Sequence, residues 1–220
     1  MPAVAAATPA RPITLHGFTL SGHCHRVELF LHLLDLPVQV VQVDLMAGAQ
    51  RKPEFLQMNR FSQVPVIDDN GTVVADSNAI LTYLALRYAP DSHWLPREPV
   101  AAARMQRWLS LSAGPLARSA ATARAAKVFG RDSDTSAAIK EAELLFSRME
   151  GEIVAGGTPW LAGEHPTIAD LAMYAYTAHA PEGNVSLEPY PAIRAWIARV
   201  EALPGFVGMP VSPVGLRAPS

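Results

Sequence analysis

The pattern of apolar residues changes at a cluster of prolines, and this change limits the folds that the chain can adopt. Pro90, Pro96 and Pro99 interrupt a ten-residue stretch, and prolines at this density end helices and strands alike. Before the cluster, β-type and helical segments alternate, whereas after it every periodic segment has helical spacing. The predicted parts are a tail at residues 1–12, an α/β domain at 13–89, a linker at 90–98 and an all-helical domain at 99–220.

The α/β part has a clear order of elements. Apolar residues from Val27 to Leu34 recur with the spacing of an amphipathic helix. The valines between Val38 and Val43 predict a buried strand, and Asp69-Asn70-Gly71 predicts a hairpin turn. The predicted elements are strands at 13–16, 38–43, 64–67 and 72–75, and helices at 23–36, 53–58 and 76–88.

The second part is predicted to contain helices only. Gly114-Pro115 is expected to kink the first of them. Thr167 and Asp170 fit a capping box, in which each side chain bonds to the other residue's backbone N–H. We therefore expect Asp170 to act on folding rather than on catalysis. The predicted helices cover residues 99–128, 134–154, 167–180 and 190–203.

Composition excludes several classes of protein. Of the 220 residues, 50% are apolar and 17% are charged, which is typical of a folded globular chain. The formal net charge of -2 gives no basis for binding nucleic acid, and no apolar stretch is long enough to span a membrane. The one cysteine, Cys24, excludes an internal disulfide and indicates a reducing compartment, so we predict a cytoplasmic protein. Residues 1–12 are rich in Ala and Pro and do not resemble a signal peptide.

Sharp catalytic and metal motifs are absent. The sequence contains no phosphate-binding loop, dinucleotide fingerprint, zinc-protease helix or hydrolase elbow. His23-Cys24-His25 contains metal-ligating residue types, but adjacent helical residues point about 100° apart, and no second ligand pair follows at a workable spacing. We therefore predict no metal site.

Three short segments remain as candidates for a binding site. Ser21 precedes the first helix, where hydroxyl and amide groups can donate to an anion, although a simple helix cap is the alternative. Gln63-Val64-Pro65 precedes a strand, and the backbone there can pair with a peptide-like ligand or mark only a strand entry. Asp76-Ser77 opens a helix, where it can hold an amine and a carboxylate or act only as a cap.

Taken together and in this order, these segments resemble the cytosolic glutathione transferases. The resemblance extends from Ile13 to Pro210 and is carried by LSGHCHRVELFL, FSQVPVIDDNG, DSNAILTYLALRY and the Thr-Ile-Ala-Asp-Leu segment at 167–171. These stretches are most similar to the serine-type classes, namely theta, phi, zeta and their bacterial relatives. The resemblance implies a thioredoxin-like domain followed by a helical domain, a homodimer, and a glutathione transferase that attacks a small electrophilic substrate.

The resemblance also implies roles for individual residues. Ser21 is expected to donate a hydrogen bond to the glutathione sulfur. Val64, before a cis-Pro65, is expected to bind the cysteinyl backbone. The γ-glutamyl end is expected to contact Gln63, Asp76 and Ser77, although Asp76 stands where the family usually has Glu. Gln50 and Lys52, or Arg51, are expected to contact the glycyl carboxylate. Glutathione enters as a cosubstrate, and no further cofactor is implied.

Two features leave alternatives open. Ser21-x-x-Cys24 occupies the place of the Cys-x-x-Cys motif of thioredoxin-like proteins, so Cys24 is either a small buried residue or a redox thiol. A redox thiol would make the protein a glutathione-dependent disulfide or peroxide reductase, and a non-catalytic glutathione-binding module is a further alternative. The stretch between Glu98 and Asp132 contains only basic charges, which either form a solvated face paired with distant acids or contribute to an anionic substrate site. These basic residues are Arg104, Arg107, Arg118, Arg124, Lys127 and Arg131.

Overall fold

The computed structural model describes residues 8–219 and divides the chain into two compact units. Of the described residues, the first unit contains 8–95 together with Leu203–Met209, and the second contains Pro96–Ala202 and 210–219. Residues 8–12 of the predicted tail have no helix or strand, and residues 1–7 lie outside the described residues. Within 8–219, no helix combines the length and the apolarity needed to cross a bilayer.

The first unit has the predicted order of strands and helices. Its four strands form one mixed sheet in the order β2-β1-β3-β4, in which β1 and β2 are parallel and the other neighbours are antiparallel. The elements are β1 Ile13–Gly17, α1 Gly22–Leu33, β2 Val38–Gln42, α2 Pro53–Met58, β3 Val66–Asp69, β4 Thr72–Ala75 and α3 Ser77–Tyr88, with a 3-10 turn at Ala49–Arg51.

The prediction that β2 is buried is wrong. Val40 and Val41 are 37% and 36% exposed, because β2 lies at the edge of the sheet and pairs with β1 alone among the described strands. β-branched residues favour any pleated strand, so a run of valines does not distinguish an edge from a centre. Only Val43, just after the strand, is buried, in a small cluster with Phe55 and Val66.

In the second unit, the described residues form helices and turns but no sheet. The helix predicted at 99–128 is present but interrupted: a π turn contains Pro115, which lacks the N–H of a regular helical hydrogen bond, and Ser119 leaves the helical conformation just before α5. The expected kink at Gly114-Pro115 is confirmed as a π-helical turn. The elements are α4 Pro99–Leu111, the π turn Ser112–Leu116, α5 Ala120–Val128, α6 Ser136–Gly156, α7 Ile168–Ala178 and α8 Pro191–Glu201, with 3-10 turns at Ala180–Gly183 and Gly215–Arg217.

Helix α7 is the centre of the second unit, since all of its residues are buried. The predicted capping box is confirmed: the Thr167 hydroxyl accepts from the Ala169 N–H, and an Asp170 carboxylate oxygen accepts from the Thr167 N–H at 2.8 Å. The other Asp170 oxygen accepts from the Leu161 N–H at 3.1 Å and from the Trp196 indole at 2.9 Å. Asp170 therefore connects three segments of this unit.

The basic stretch is not a uniformly solvated face. Arg124 is only 2% exposed, and its Nε donates to Glu182 Oε2 at 2.7 Å. Glu182 is fully buried and also contacts His179 Nδ1 at 2.6 Å. The expectation of a distant acidic partner is thus correct for Arg124, whereas the expectation of solvation is wrong for it. The other five basic residues of this stretch are exposed.

Candidate active site

The register of the sheet brings the three candidate segments together at the same end of strands β1, β3 and β4. His16, near the end of β1, pairs with Val66 at the start of β3, and Val66 pairs with Ala75 at the end of β4. The segments that continue from these positions, with Ser21, Val64 and Ser77, therefore leave the sheet on the same side. The local sequence folds this way because a turn, a proline and a helix cap each end the hydrogen-bond ladder of the sheet at this end of the strands.

Ser21 is the N-cap of α1 and has an extended backbone. Its half-buried hydroxyl oxygen accepts from the Cys24 N–H at 3.4 Å. A hydroxyl has one donor and two acceptor sites, so the Ser21 hydroxyl can accept from the helix and also donate, and its side-chain neighbour among residues 8–219 is Cys24. The first turn of α1 contains no acidic residue, so the helix N-terminus adds a positive potential here. Capping and donation to an anion are therefore compatible at Ser21.

Cys24 lies behind this turn, in the interior. Its side chain is 4% exposed, its sulfur accepts from the Phe18 N–H at 3.3 Å, and a Cβ added to Gly17 would lie 3.3 Å from its Cβ. Burial raises the pKa of the Cys24 thiol to about 11. Because a thiolate is the reactive form, this thiol is poorly suited to disulfide exchange.

Val64 presents backbone groups at the same end of the strands. The Val64–Pro65 peptide bond is cis, as the resemblance implied, and Pro65 is buried immediately before β3. Neither the N–H nor the C=O of Val64 is hydrogen-bonded within the part of the chain that the structure describes. These groups can pair with an extended peptide in the manner of a neighbouring strand.

The loop that carries Gln63 is held by residues that the sequence analysis missed. The Asn59 amide donates to the Gln63 carbonyl at 2.8 Å and accepts from the Phe61 N–H at 3.0 Å. The Ser62 hydroxyl donates to the Gln50 carbonyl at 2.9 Å, which ties this loop to the 3-10 turn. An asparagine just after a helix, followed by Gln-Val-Pro, is the only sequence signal for this support.

Gln50 and Lys52 frame the other end of the candidate site. The Gln50 side chain is half-buried, and its oxygen is buried without a hydrogen-bond partner among the described residues. Lys52 is exposed at the N-cap of α2. Both side chains can donate to a carboxylate, as the resemblance implied, and the structure links Gln50 to the loop of Gln63 through Ser62.

Asp76 and Ser77 begin α3 in different environments. Asp76 is exposed, has a positive φ of 75°, and uses one carboxylate oxygen to cap the Asn78 and Ala79 N–H groups. Ser77 is 5% exposed. Its hydroxyl oxygen accepts from Arg26 at 3.3 Å and lies 3.3 Å from His23 Nδ1. No motif in the sequence marks Arg26 or His23 as part of the site.

Among residues 8–219, no group of three or more His, Cys, Asp and Glu side chains is arranged to hold a metal ion. His23, Cys24 and His25 diverge. His23 contacts Ser77, the Cys24 sulfur accepts from Phe18, and His25 Nε2 contacts the Val207 carbonyl at 2.8 Å.

Comparison with known proteins identifies the family. Residues 20–87 match the family model described as "Glutathione S-transferase, N-terminal domain", and residues 107–204 match "Glutathione S-transferase, C-terminal domain". Glutathione S-transferase 3 of Zea mays is 30% identical over 206 residues, which cover 89% of this chain and 91% of that protein. Human glutathione S-transferase theta-2 is 28% identical over 186 residues, with 81% and 76% coverage.

Solved structures agree with this match. A glutathione S-transferase from Pseudomonas fluorescens superposes with a TM-score of 0.83 at 33% identity, covering 90% of this chain and 99% of that chain. One from Xanthobacter autotrophicus gives a TM-score of 0.83 at 33% identity, with 90% and 97% coverage. The fold is therefore a thioredoxin-like domain joined to a helical domain. The chain belongs to the glutathione S-transferase family, and its activity is that of a glutathione transferase.

Proposed function

We propose that this glutathione transferase is of the serine type and that Ser21 holds the glutathione sulfur as a thiolate. The observation that carries the proposal is the position of the Ser21 hydroxyl, which lies half-buried at the N-terminus of α1, caps that helix as an acceptor and has a proton to donate. The thiolate attacks the electrophilic carbon of a small substrate, the new carbon–sulfur bond forms, and the leaving group departs with its electron pair. The thiol proton passes to solvent.

The energy required is within the reach of one hydroxyl group. A free thiol with a pKa of about 8.5 is only a few per cent thiolate at neutral pH. Lowering that pKa by about 2 units requires about 2.7 kcal/mol of preferential stabilisation of the anion. A hydrogen bond to a charged acceptor supplies about 1.5–3 kcal/mol, and the helix N-terminus adds to it. Ser21 is therefore a hydrogen-bond donor and not a nucleophile.

The remaining site residues hold the rest of the tripeptide in this proposal. The free backbone groups of Val64, before Pro65, pair with the cysteinyl unit. Gln63, Asp76 and Ser77 bind the γ-glutamyl end, and Gln50 and Lys52 bind the glycyl carboxylate. All of these residues lie in the first unit, which supports a glutathione-binding domain at 13–89. The change of unit after Leu95 falls within the proposed linker at 90–98, and Pro96–Ala202 makes up most of the proposed helical domain at 99–220, of which Leu203–Met209 belongs to the first unit.

We further propose a cytoplasmic homodimer that acts in detoxification, without a cofactor other than glutathione as cosubstrate. Exposed apolar side chains support self-association, because a second copy would remove them from water. Phe61, in the loop before β3, is 85% exposed. Leu144 and Val154 on α6 are 52% and 67% exposed. The single cysteine, buried and reduced, fits a reducing compartment.

Activity measurements with two kinds of substrate test this function against a reductase. Ser21→Ala should lower the rate of conjugation to an aryl halide by about ten- to a hundredfold at neutral pH, and Cys24→Ala should leave that rate nearly unchanged. A reductase would give the reverse pattern with a mixed disulfide, since loss of Cys24 would abolish its turnover. A non-catalytic binding module would bind glutathione but would neither conjugate the aryl halide nor reduce the mixed disulfide.

A further inference from the structure

Arg26 is the one arginine of the first unit's described residues that is completely removed from solvent, at 0% exposure. It lies on α1, one turn after the Ser21 cap. Charged side chains are rarely buried to this extent unless they are paired or hydrogen-bonded. The roles that the family resemblance assigns to other residues give Arg26 none, so its position calls for a physical reason.

The polar contacts of Arg26 lead to the start of α3. Its Nη1 donates to the Ser77 hydroxyl oxygen at 3.3 Å and to the Asn78 side-chain oxygen at 2.9 Å. Both bonds come from Nη1, which has two N–H groups held in the plane of the guanidinium and can therefore serve two acceptors at once. Arg26 therefore fixes the side chains of the first two residues of α3 relative to α1.

His23 approaches the same hydroxyl from α1, with Nδ1 3.3 Å from Ser77 Oγ. Burial and the nearby Arg26 charge lower the pKa of His23 to about 3, so the ring is neutral at neutral pH and Nδ1 can carry a proton. A hydroxyl oxygen has two acceptor sites and one proton. When Arg26 and His23 donate to both acceptor sites, the Ser77 proton is left to point away from them.

We propose that Arg26 and His23 are positioning residues, which orient the Ser77 hydroxyl so that it donates to the γ-glutamyl α-carboxylate of glutathione. This inference rests on the proposed glutathione site. The N-cap of α3 already holds the Asp76 carboxylate, and the buried guanidinium adds a fixed positive charge beside Ser77. The orientation of Ser77 and this positive charge both favour a carboxylate over a neutral group at this point.

A cycle of protein and ligand changes tests the proposal. The ligands are glutathione and 4-aminobutyryl-cysteinyl-glycine, which lacks only the γ-glutamyl α-carboxylate. Arg26→Lys keeps the charge but loses the planar set of donors, so it should weaken calorimetric binding of glutathione by about tenfold. The same substitution should change binding of the analogue less than about twofold, because the analogue has no carboxylate for Ser77 to meet.

A matched control separates this effect from the general cost of altering a buried arginine. Arg124→Lys makes the same change at a buried arginine of the second unit and should leave both affinities unchanged. Kinetics gives a second readout. Arg26→Lys should raise the KM for glutathione and leave kcat unchanged, because the contact between the thiol and Ser21 is retained. A loss of folded protein would instead lower the apparent kcat and leave KM unchanged.

His23 supplies an independent pair of variants if Arg26→Lys fails to fold. His23→Ala removes the contact to Ser77 and should weaken glutathione binding by about three- to tenfold. His23→Asn places an amide nitrogen near the position of Nδ1 and should restore most of that loss. Equal affinities of His23→Ala and the wild-type protein for glutathione would overturn the proposal.

The outcomes distinguish this inference from the proposed function. If the wild-type protein binds no glutathione, the proposed site itself is wrong. If the wild-type protein binds glutathione, but Arg26→Lys weakens glutathione and the analogue equally or weakens neither, the site stands and the positioning role is wrong. A selective loss for glutathione supports both.

Discussion

Replacement of Asp170 by alanine should destabilise the helical unit severely. A helix cap alone is worth about 0.5–2 kcal/mol, but Asp170 also accepts from the Leu161 N–H and the Trp196 indole, and its side chain is fully buried. The alanine variant leaves both donors without an acceptor, the Trp196 indole in the interior and the Leu161 N–H in a half-buried position, and a buried donor without an acceptor costs about 1–3 kcal/mol. Because such losses are not additive, we expect a total of about 3–5 kcal/mol.

Urea unfolding followed by far-ultraviolet circular dichroism measures this loss, and thermal unfolding should show a fall of about 6–20 °C in Tm. Glu98→Ala is the matched control, because Glu98 caps α4 through the Val100 and Ala101 N–H groups but is exposed. Its loss should be much smaller. Glutathione affinity should persist in folded Asp170→Ala protein. An unchanged unfolding free energy would refute the reasoning, and an unchanged Tm with lost activity would place Asp170 in the active site.

Two further predictions concern the buried ion pair and self-association. Burial opposes ionisation of Glu182, but the His179 hydrogen bond and the Arg124 charge overcome it and hold the pKa of Glu182 below its usual value. Its stabilising effect is therefore present above the unfolded pKa of about 4.3 and is lost as the pH falls through the folded pKa. Glu182→Gln should cost about 3–5 kcal/mol at pH 7, and urea unfolding should show the gap to wild type closing at acidic pH; equal stability at neutral pH would contradict this. Analytical ultracentrifugation should show a dimer that Phe61→Asp weakens by at least about tenfold, and an unchanged dimer would exclude Phe61 from the interface.

Local sequence signals predicted the elements of the first unit well, because each signal acts within a few residues. The hairpin at Asp69-Asn70-Gly71 and the cap at Ser21 lie where the sequence placed them, as does the Thr167 cap of the second unit. Burial was harder to predict from the sequence, since valines such as those of β2 are as favourable in an exposed edge strand as in a core strand. Edge position depends on which strands pair, and that is decided by the whole sheet.

Contacts between distant residues could not be predicted from the sequence. Arg124 and Glu182 are 58 positions apart, and Arg26 and Ser77 are 51 positions apart. A single sequence gives the helical face of a residue but not the partner that faces it. The same limit explains why the site segments were recognised while Arg26, His23 and Asn59, which hold them in place, were missed.

The ionisation of the bound glutathione thiol tests the central claim most directly. Titration of the thiolate band in the ultraviolet difference spectrum should give the wild-type complex an apparent pKa about 2 units below the free value of about 8.5. The Ser21→Ala complex should titrate near the free value, while Thr19→Ala, which removes an exposed hydroxyl from the same turn, should titrate like the wild type. A lowered thiol pKa that persists in Ser21→Ala, or that is lost in Thr19→Ala instead, would contradict the assignment of Ser21.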